Sequence, residues 1–196
     1  MTSRADQQRV RILDAAQACF VREGFHTASM ASIAEEAGVS TGLIYRYFDS
    51  KNAIILAIID RQLQDKLGSI ATLTEDPDIG RRFVDFFVRV RRGDPDVVNP
   101  ALLLEIGAQA TRDPQIAEAL AASDRAAAAA LRTWLADLLG SRGLAADEAS
   151  VRARALALQC LFDGLAARSV KDRGLEPAAL AAALDLVLPQ ILGRSS

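Results

Sequence analysis

Histidine and cysteine are scarce in this chain of 196 residues, which contains one histidine and two cysteines. Cys19 and Cys160 are far apart in the sequence, and each stands among apolar neighbours. We interpret them as small buried hydrophobic residues, because a secreted disulfide scaffold or a zinc site would need more cysteines at closer spacing. This scarcity predicts a reducing, cytoplasmic location, no bound metal and no cofactor.

A long hydrophobic run is also missing. The apolar stretch AIILAII at residues 53–59 is too short to cross a bilayer. Arg4, Asp6 and Arg9 interrupt the beginning of the chain, so we expect no signal peptide. These absences favour a protein that works in the cytoplasm without a membrane partner.

Neither sign of charge is in marked excess, since the formal net charge is −2 and the isoelectric point is near 5.5. This balance excludes a general binder of polyanions, so any affinity for nucleic acid must come from a local patch. Even the first 51 residues balance six basic against six acidic side chains. A basic face there would have to collect Arg4, Arg9, Arg11, Arg46 and Lys51.

What the sequence does contain is helical periodicity along nearly its whole length. The first such segment places Ile12, Ala16 and Phe20 on one face. The pattern predicts an all-α fold of about nine helices, with no convincing strand and no internal repeat. It also predicts a short head at residues 1–52 and a helical body at residues 53–196, with the boundary within the fourth helix.

The segment GVSTGLIYRYFDSK at residues 38–51 is open to two interpretations. Its first five residues fit the pattern G-x-S-x-G of the nucleophile elbow in serine hydrolases. That elbow needs a strand before the serine and a histidine after it, whereas Ser40 follows the helical pattern ASIAEEA and His26 precedes it. A Ser40–Lys51 pair has no other support, so the nucleophile interpretation is rejected and no catalytic residue is predicted.

The second interpretation is a helix-turn-helix. A short helix ends at Gly38, and Ser40 caps the next short helix, which is expected to reach Phe48. The first of these two helices is capped by either Thr27 or Ser29. Apolar residues anchor the second helix inward, which leaves its polar side chains for the grooves and phosphates of DNA.

The segment GFHTASMASIAEEAGVSTGLIYRYFDSK resembles the DNA-binding head of the TetR family of bacterial repressors. The match extends from about Ile12 to Leu56, and it includes ILDAAQACF, AGVS, Gly42 and the Ser50-Lys51 pair. The resemblance implies an all-helical homodimer with a three-helix, helix-turn-helix head and a body for ligand binding and dimerisation. The body matches the family only in its number of helices.

Donor chemistry and the position of each residue in the resemblance together predict the DNA contacts. The predicted set is Ser29, Ser40, Thr41, Gly42, Tyr45, Arg46, Tyr47 and Lys51. Thr41 and Arg46 are the predicted base readers. The predicted phosphate contacts are Tyr45, Tyr47 and Lys51. Because the two tyrosines are two positions apart, they cannot share one helix face, and at least one is expected to be partly structural.

The resemblance also implies that the last two helices pair with their copies in a dimer interface. Apolar residues alternate at spacings of four and three along both helices, which is typical of helix packing. The predicted interface residues are Val151, Leu158, Phe162, Leu165, Leu184 and Ile191. Two heads on a twofold axis would then meet the half-sites of a near-palindromic operator. Asp163 and Gly164 are interpreted as packing elements rather than ligand contacts.

A ligand pocket in the body is a further implication of the resemblance. The predicted lining is Phe83, Phe86, Phe87, Glu105, Gln109, Trp134 and Gln159. An apolar pocket with a few polar groups suits an uncharged or cationic hydrophobic molecule. The alternative is that the aromatic residues form the core and that Glu105 lies at the surface or at the dimer edge.

Together these expectations describe a ligand-responsive transcriptional repressor rather than an enzyme. It would bind a double-stranded DNA operator as a homodimer and be released by a small hydrophobic effector. The fourth helix joins head and body, so ligand-driven movement there is expected to change the spacing of the heads. Two alternatives remain open: a DNA-binding regulator without an effector, and a small-molecule-binding protein or enzyme that uses the body pocket.

Overall fold

The computed structural model describes residues 4–74, 78–92, 94, 97, 99–145 and 147–193. Across these residues the chain forms nine α-helices and contains no strand, which confirms the predicted all-α fold. The helices are α1 Arg4–Glu23, α2 Met30–Ala37, α3 Thr41–Tyr45, α4 Lys51–Ala71, α5 Ile79–Arg91, α6 Pro100–Ala110, α7 Pro114–Ser141, α8 Glu148–Lys171 and α9 Pro177–Leu192. A 3₁₀-helix, Thr72–Thr74, follows α4 directly.

Side-chain caps explain where α2 and α3 begin. The hydroxyl of Ser29 accepts a hydrogen bond from the N–H of Ser32, and the hydroxyl of Ser32 accepts one from the N–H of Ser29. This reciprocal capping box satisfies two N–H groups that the first turn of a helix leaves free. Ser40 caps α3 by accepting from the N–H of Leu43 at 3.2 Å. The cap of α2 is therefore Ser29 and not Thr27, and Ser40 has the predicted capping position.

Helix α3 is shorter than the sequence predicted. It ends at Tyr45 rather than at Phe48. The N–H of Arg46 bonds to the carbonyl of Leu43, three residues earlier, at 3.2 Å. Such bonds tighten the last turn of a helix and end it, so the residues after Tyr45 lie in turns.

The described chain divides into two compact units. One comprises the chain up to Gln62 together with Ala101–Ser123, and the other comprises Leu63–Pro100 together with the chain from Asp124 onward. The chain passes from one unit to the other within α4, within α7 and at the start of α6. The boundary between these compact units falls at Gln62, within α4 and ten residues after the predicted end of the head. The functional boundary at residue 52 remains a prediction.

The first unit has its own apolar core, formed by α1, α2, α3, the first half of α4, α6 and the start of α7. Ile12, Ile33 and Ile44 are fully buried in it, as is Leu102 of α6. Burial of such side chains contributes about 1.5–3 kcal/mol each, which fixes the short helices that propensity alone would leave marginal. Helix α6 thus packs with the predicted head.

The second unit has a separate core, to which α5, α8 and α9 contribute. Its largest buried side chains include Trp134, Leu135, Leu158 and Leu188. Arginine side chains hold the end of α9: Arg154 donates to the carbonyls of Gln190 and Ile191, and Arg142 donates to that of Leu192. Cations at a helix C-terminus satisfy carbonyls that have no partner within the helix.

None of the helices in the described part of the chain combines the length and the hydropathy that a membrane crossing would need. Within the same residues, no three or more histidine, cysteine, aspartate or glutamate side chains come together in a way that could hold a metal ion.

Candidate DNA-binding surface and ligand cavity

Helix α3 turns one face inward and presents another to solvent. Ile44 is fully buried and Phe48, just beyond the helix, is 4% exposed. Tyr45 is 52% exposed, and Gly42 has open space where a Cβ would stand. Anchored on one side only, the helix offers a rigid outer face of the kind that enters a DNA groove.

The two tyrosines after Gly42 have different environments. Tyr45 is exposed on α3, whereas Tyr47 is partly buried and packs against the core of the first unit. This difference agrees with the expectation that one of them has a structural part. Arg46 lies between them in the turn, exposed, and its side chain forms no hydrogen bond or ion pair with any described residue.

The turn between α2 and α3 depends on a glycine. Gly38 has φ of 62°, a left-handed conformation that side-chain-bearing residues adopt at a cost. A Cβ at this position would also lie 2.8 Å from Nη2 of Arg11, but an arginine end group can move away. The backbone conformation is therefore the main reason for glycine here, and it sets the angle between the two helices.

Lys51 has a different role from the predicted phosphate contact. Its Nζ donates to the carbonyl oxygens of Phe25 at 2.7 Å, His26 at 3.3 Å and Ala28 at 2.5 Å. It also lies 4.7 Å from the centroid of the Phe25 ring. Because an ammonium group has three N–H donors, these carbonyls occupy all of them. Burial lowers the pKa of Lys51, and the side chain holds the loop between α1 and α2 in place.

Glu105 holds the same loop from α6. Its Oε1 accepts a hydrogen bond from the backbone N–H of Phe25 at 2.6 Å. A second link joins the Nδ2 of Asn52 to Oδ2 of Asp113 at 2.5 Å, while Oδ1 of Asp113 accepts from the N–H of Gln115 at the start of α7. Glu105 and the buried Gln109 therefore belong to the first unit, which corrects their predicted place in the ligand pocket.

Two other basic residues of the first unit, Arg22 and Arg9, form contacts with neighbouring side chains. Arg22 pairs with Glu23 at 2.7 Å and with Glu36 at 2.8 Å on an exposed surface. Arg9 lies over the ring of Phe48, with 5.2 Å from Cζ to the centroid. Exposed ion pairs such as those of Arg22 contribute little to stability, typically less than about 1 kcal/mol.

The second unit contains a cavity of about 370 Å³, a size typical of small-molecule sites. Its buried wall is apolar and comprises Ile70, Ile79, Ala127 and Leu158. Three phenylalanines, Phe83, Phe86 and Phe162, add aromatic surface, and the rings of the last two are 5.0 Å apart between centroids. Ser69, Asp85, Arg89, Asp124 and Asp163 are exposed and form the mouth.

The predicted pocket residues divide into two groups. Phe83, Phe86 and Gln159 line the cavity, and the Nε2 of Gln159 donates to the backbone carbonyl of Asp124 at 3.3 Å. Phe87 and Trp134 belong to the interior of the unit instead, where they are 0% and 5% exposed and do not line the cavity. Their aromatic side chains form core, which is the alternative that the sequence left open.

Sequence reasoning missed the charged groups of the cavity. Lys66, Arg82 and Asp124 line it and carried no signal beyond that of ordinary surface charges on amphipathic helices. The interpretation of Asp163 and Gly164 as packing elements is wrong, because both residues are exposed and Asp163 lines the cavity. Asp163 directly follows Phe162, which lies one helical turn after Leu158 on the side of α8 that lines the cavity. This neighbouring position is the one feature of the sequence that points to Asp163.

The predicted dimer-interface residues lie inside the chain. Val151, Leu158, Leu165, Leu184 and Ile191 are all buried, and Phe162 lines the cavity. The heptad-like spacing therefore records packing of α8 and α9 within one subunit. The exposed apolar residues of these helices are different: Leu156 is 60% exposed, Val170 is 39% exposed, Leu186 is 80% exposed and Val187 is 41% exposed. Cys160 of α8 is also exposed, so the prediction that both cysteines are buried is wrong for this one.

Comparison with known proteins gives two family matches along the chain. The family described as "Bacterial regulatory proteins, tetR family" matches residues 12–58. The family described as "BetI-type transcriptional repressor, C-terminal" matches residues 81–193, which is more than half of the chain. The first match covers the helix-turn-helix, and the second includes most of the residues that line the cavity.

Individual proteins agree with these matches. The HTH-type transcriptional regulator UidR of Escherichia coli K12 is 40% identical over 122 residues, which cover 61% of this chain and 60% of UidR, less than two thirds of its length. The HTH-type transcriptional repressor Rv1474c of Mycobacterium tuberculosis is 29% identical over 92% of this chain and 90% of its own. The structure of Salmonella enterica GusR superposes with a TM-score of 0.75 at 27% identity, over 97% of this chain and 98% of GusR. The chain therefore belongs to the TetR family of DNA-binding transcriptional regulators.

Proposed function

We propose that this protein is a ligand-responsive repressor in the bacterial cytoplasm, which binds a near-palindromic operator as a homodimer and leaves it when a small, mainly apolar effector binds. The observation that carries the proposal is the exposed outer face of α3 on a capped, buried base. Thr41, Tyr45 and Arg46 border that face, and Gly42 leaves room for close approach of DNA. The proposal assigns the cavity a binding role and no catalytic one.

The roles at the DNA follow from exposure and donor chemistry. Arg46, whose guanidinium has no partner among the described residues, is the principal base reader, since arginine pairs with two acceptors of guanine in the major groove. Thr41 is the second. Tyr45 contacts a phosphate through its hydroxyl, with Tyr47 in support. Ser29, Ser40 and Lys51 act indirectly, because they cap or hold the elements that carry the contacting residues.

Dimerisation is assigned to the exposed stripes of α8 and α9. On α8, Ala149, Ala153, Leu156 and Cys160 recur at spacings of three and four, and all four are exposed. On α9 the corresponding stripe is Ala179, Ala183 and Leu186. Small residues let helices approach closely and Leu186 adds an apolar contact, so a second copy of the chain is the partner that this face fits.

The effector is assigned to the cavity of the second unit. Its volume and apolar wall suit a small molecule, and its lining includes residues of α4 and α7, the two helices that continue into the first unit. A ligand releases DNA only if it binds the non-DNA-binding arrangement more tightly. Coupling is therefore proposed to run through α4 and α7.

Selection of bound sequences from random DNA tests the operator claim. The expected product is an enriched near-palindrome whose half-sites are centred about one helical turn, or a multiple of it, apart. The double variant Thr41→Ala/Arg46→Ala, checked by circular dichroism for intact fold, should enrich nothing. A folded wild-type dimer that enriches no sequence over the input would contradict the proposal.

Repression is tested separately by transcription in vitro from a promoter that overlaps the selected operator. We expect transcript to fall as the protein is added and to return when a cavity ligand is added. An increase in transcript would make the protein an activator. An operator affinity that stays constant while a tight ligand saturates the cavity would reject the coupling and leave a DNA-binding regulator without an effector.

A further inference from the structure

An arginine of α1 lies against the turn of the helix-turn-helix. A Cβ at Gly38 would stand 2.8 Å from Nη2 of Arg11, so the missing side chain of this glycine leaves room for the guanidinium beside the turn that leads into α3. Arg11 is exposed, and its side chain forms no hydrogen bond or ion pair within the described part of the chain. Its N–H donors therefore remain available to a ligand.

The acidic side chains around Arg11 have other partners. Asp14 and Glu36 line the same depression of the surface as Arg11. Asp14 is paired with Arg61 at 2.8 Å, and Glu36 is paired with Arg22 at 2.8 Å. The first 51 residues are formally neutral, so Arg11 is distinguished by its free donors and its place, not by an excess of positive charge.

The other arginines of α1 differ from Arg11 in how they are held. Arg22 is bonded to two glutamates. The guanidinium of Arg9 lies over the ring of Phe48, with 5.2 Å from Cζ to the centroid. Arg4 stands seven residues before Arg11, but no hydrogen bond, ion pair or ring contact with a described residue fixes its side chain. Only Arg11 among these is both placed beside the turn and free to donate.

This place matters because the turn precedes the helix that is proposed to enter a DNA groove. When a recognition helix lies in the major groove, its first residues face the base edges, and a phosphate backbone borders the groove on each side. The groove is only about 12 Å wide, so a guanidinium beside the start of α3 is within reach of a bordering phosphate. Arginine binds such a group through a bidentate pair of charge-assisted hydrogen bonds.

We propose that Arg11 is a further DNA contact, supplied by α1, which binds a backbone phosphate beside the turn from Gly38 to Ser40. The inference rests on the proposed DNA-binding role of α3 and adds to that surface a residue from outside the two helices of the helix-turn-helix. The contact carries no sequence information. It raises the affinity for any duplex and fixes the orientation of α3 in the groove, where Arg46 reads the bases.

The salt dependence of DNA binding by Arg11→Ala tests the proposal. Fluorescence anisotropy with the selected operator, between about 50 and 200 mM salt, gives the slope of log affinity against log salt. We expect this slope to fall by about one for each half-site, and the affinity to fall several-fold by a similar factor on every operator of a single-base panel. Arg11→Lys, which keeps the charge but not the bidentate geometry, should recover the slope and only part of the affinity.

Arg22→Ala is the matched control, because it removes the same charge from the same helix, eleven residues later. Its salt slope should equal that of the wild-type protein. Since Arg11 has no bonded partner among the described residues, Arg11→Ala should also keep the wild-type melting temperature. An unchanged slope for Arg11→Ala, or an equal reduction for Arg22→Ala, would overturn the proposal. A loss confined to operators changed at one base pair would make Arg11 a base reader and overturn it as well.

Ethylation of single phosphates in the operator locates the contact. We expect the wild-type protein to bind poorly when one phosphate that borders the groove is ethylated in each half-site, and Arg11→Ala to become insensitive to that phosphate alone. The same interference pattern for both proteins would reject this inference and leave the proposed function intact. A wild-type chain that selects no DNA would instead reject the proposed function, and this inference with it.

Discussion

The carboxylate of Glu105 accepts a hydrogen bond from the backbone N–H of Phe25, with 2.6 Å between Oε1 and N. The backbone carbonyl of Phe25 accepts a hydrogen bond from Nζ of Lys51 at 2.7 Å. The loop that leads into the helix-turn-helix is thus held by an anion on α6 and a cation on α4. Hydrogen bonds to charged groups stabilise by about 1.5–3 kcal/mol, so each of these contacts is large enough to measure.

Replacement of Glu105 should loosen this loop. We expect Glu105→Ala to weaken operator binding, because α2 and α3 follow directly from the loop, while Glu105→Gln, which keeps an acceptor oxygen, should recover much of the loss. Fluorescence anisotropy with the selected operator measures both. Asp137→Ala is the control for removal of an exposed carboxylate. Equal losses for Glu105→Ala and Glu105→Gln would mean that charge rather than the hydrogen bond matters.

Lys51→Met should lower thermal stability, because three backbone carbonyls and the face of Phe25 lose their partner. Since no N–H of the ammonium is left for a phosphate, the salt dependence of operator binding should keep its slope. Thermal unfolding and binding at several salt concentrations measure the two effects. A slope reduced by about one, with the melting temperature unchanged, would restore the predicted phosphate contact.

Arg46→Ala should reduce discrimination between operator variants by about 1–3 kcal/mol at the position that it reads. Binding to a panel of single-base operator changes gives this number. Arg92→Ala removes an exposed arginine from the end of α5 and should leave the pattern unchanged. An equal loss on every operator in the panel would make Arg46 a phosphate contact instead.

Leu186→Glu should dissociate the dimer. Because Leu186 is 80% exposed in one chain, its replacement removes no packing within the subunit, so the fold should persist while a charge is buried in the proposed interface. Sedimentation velocity gives the mass, and circular dichroism checks the fold. Val21→Glu, at a residue 38% exposed on α1 and outside both α8 and α9, is the control. A Leu186→Glu protein that stays dimeric would exclude this face.

Gly38→Ala should lower the stability of the fold, whereas Gly42→Ala should lower the affinity for the operator and leave the stability intact. At Gly38 the positive φ imposes strain on alanine, about 1–2 kcal/mol, so stability should fall. At Gly42 a Cβ meets nothing within 4 Å, so stability should hold or rise, while the added methyl group obstructs DNA and lowers operator affinity. Denaturant unfolding measures the stability of both variants, and titration with the operator measures their DNA affinity. Unimpaired DNA binding by Gly42→Ala would show that this glycine does not lie on the contact surface.

Local signals predicted the helix-turn-helix well. Ser40 caps α3 and Gly38 adopts a left-handed conformation because both effects act within a few residues, where the sequence pattern carries the full cause. The end of α3 was predicted less well, at Phe48 instead of Tyr45. The turn after Tyr45 brings Phe48 into the core of the first unit, where it is buried. Most residues of that core lie outside this segment, so the local sequence could not predict the turn.

Long-range neighbours account for what the sequence could not supply. Val151, Leu158 and Leu184 have the spacing of a packing seam, and that spacing is the same whether the partner helix lies in one chain or in its copy. Burial in the single chain resolves the ambiguity in favour of the internal core. The sequence likewise placed Glu105 in an apolar helix, but only the fold brings it to Phe25, eighty residues earlier.

By itself, the sequence determined the all-helical class, the caps and turn of the helix-turn-helix and the family, because each depends on residues within one or two helical turns of each other. The tertiary structure alone decided that Lys51 binds carbonyls, that Glu105 holds a loop, and that Lys66, Asp124 and Asp163 meet at one cavity. These facts depend on which helix lies against which. That choice is made by the total burial of apolar surface over each unit, a quantity that no local stretch of sequence contains.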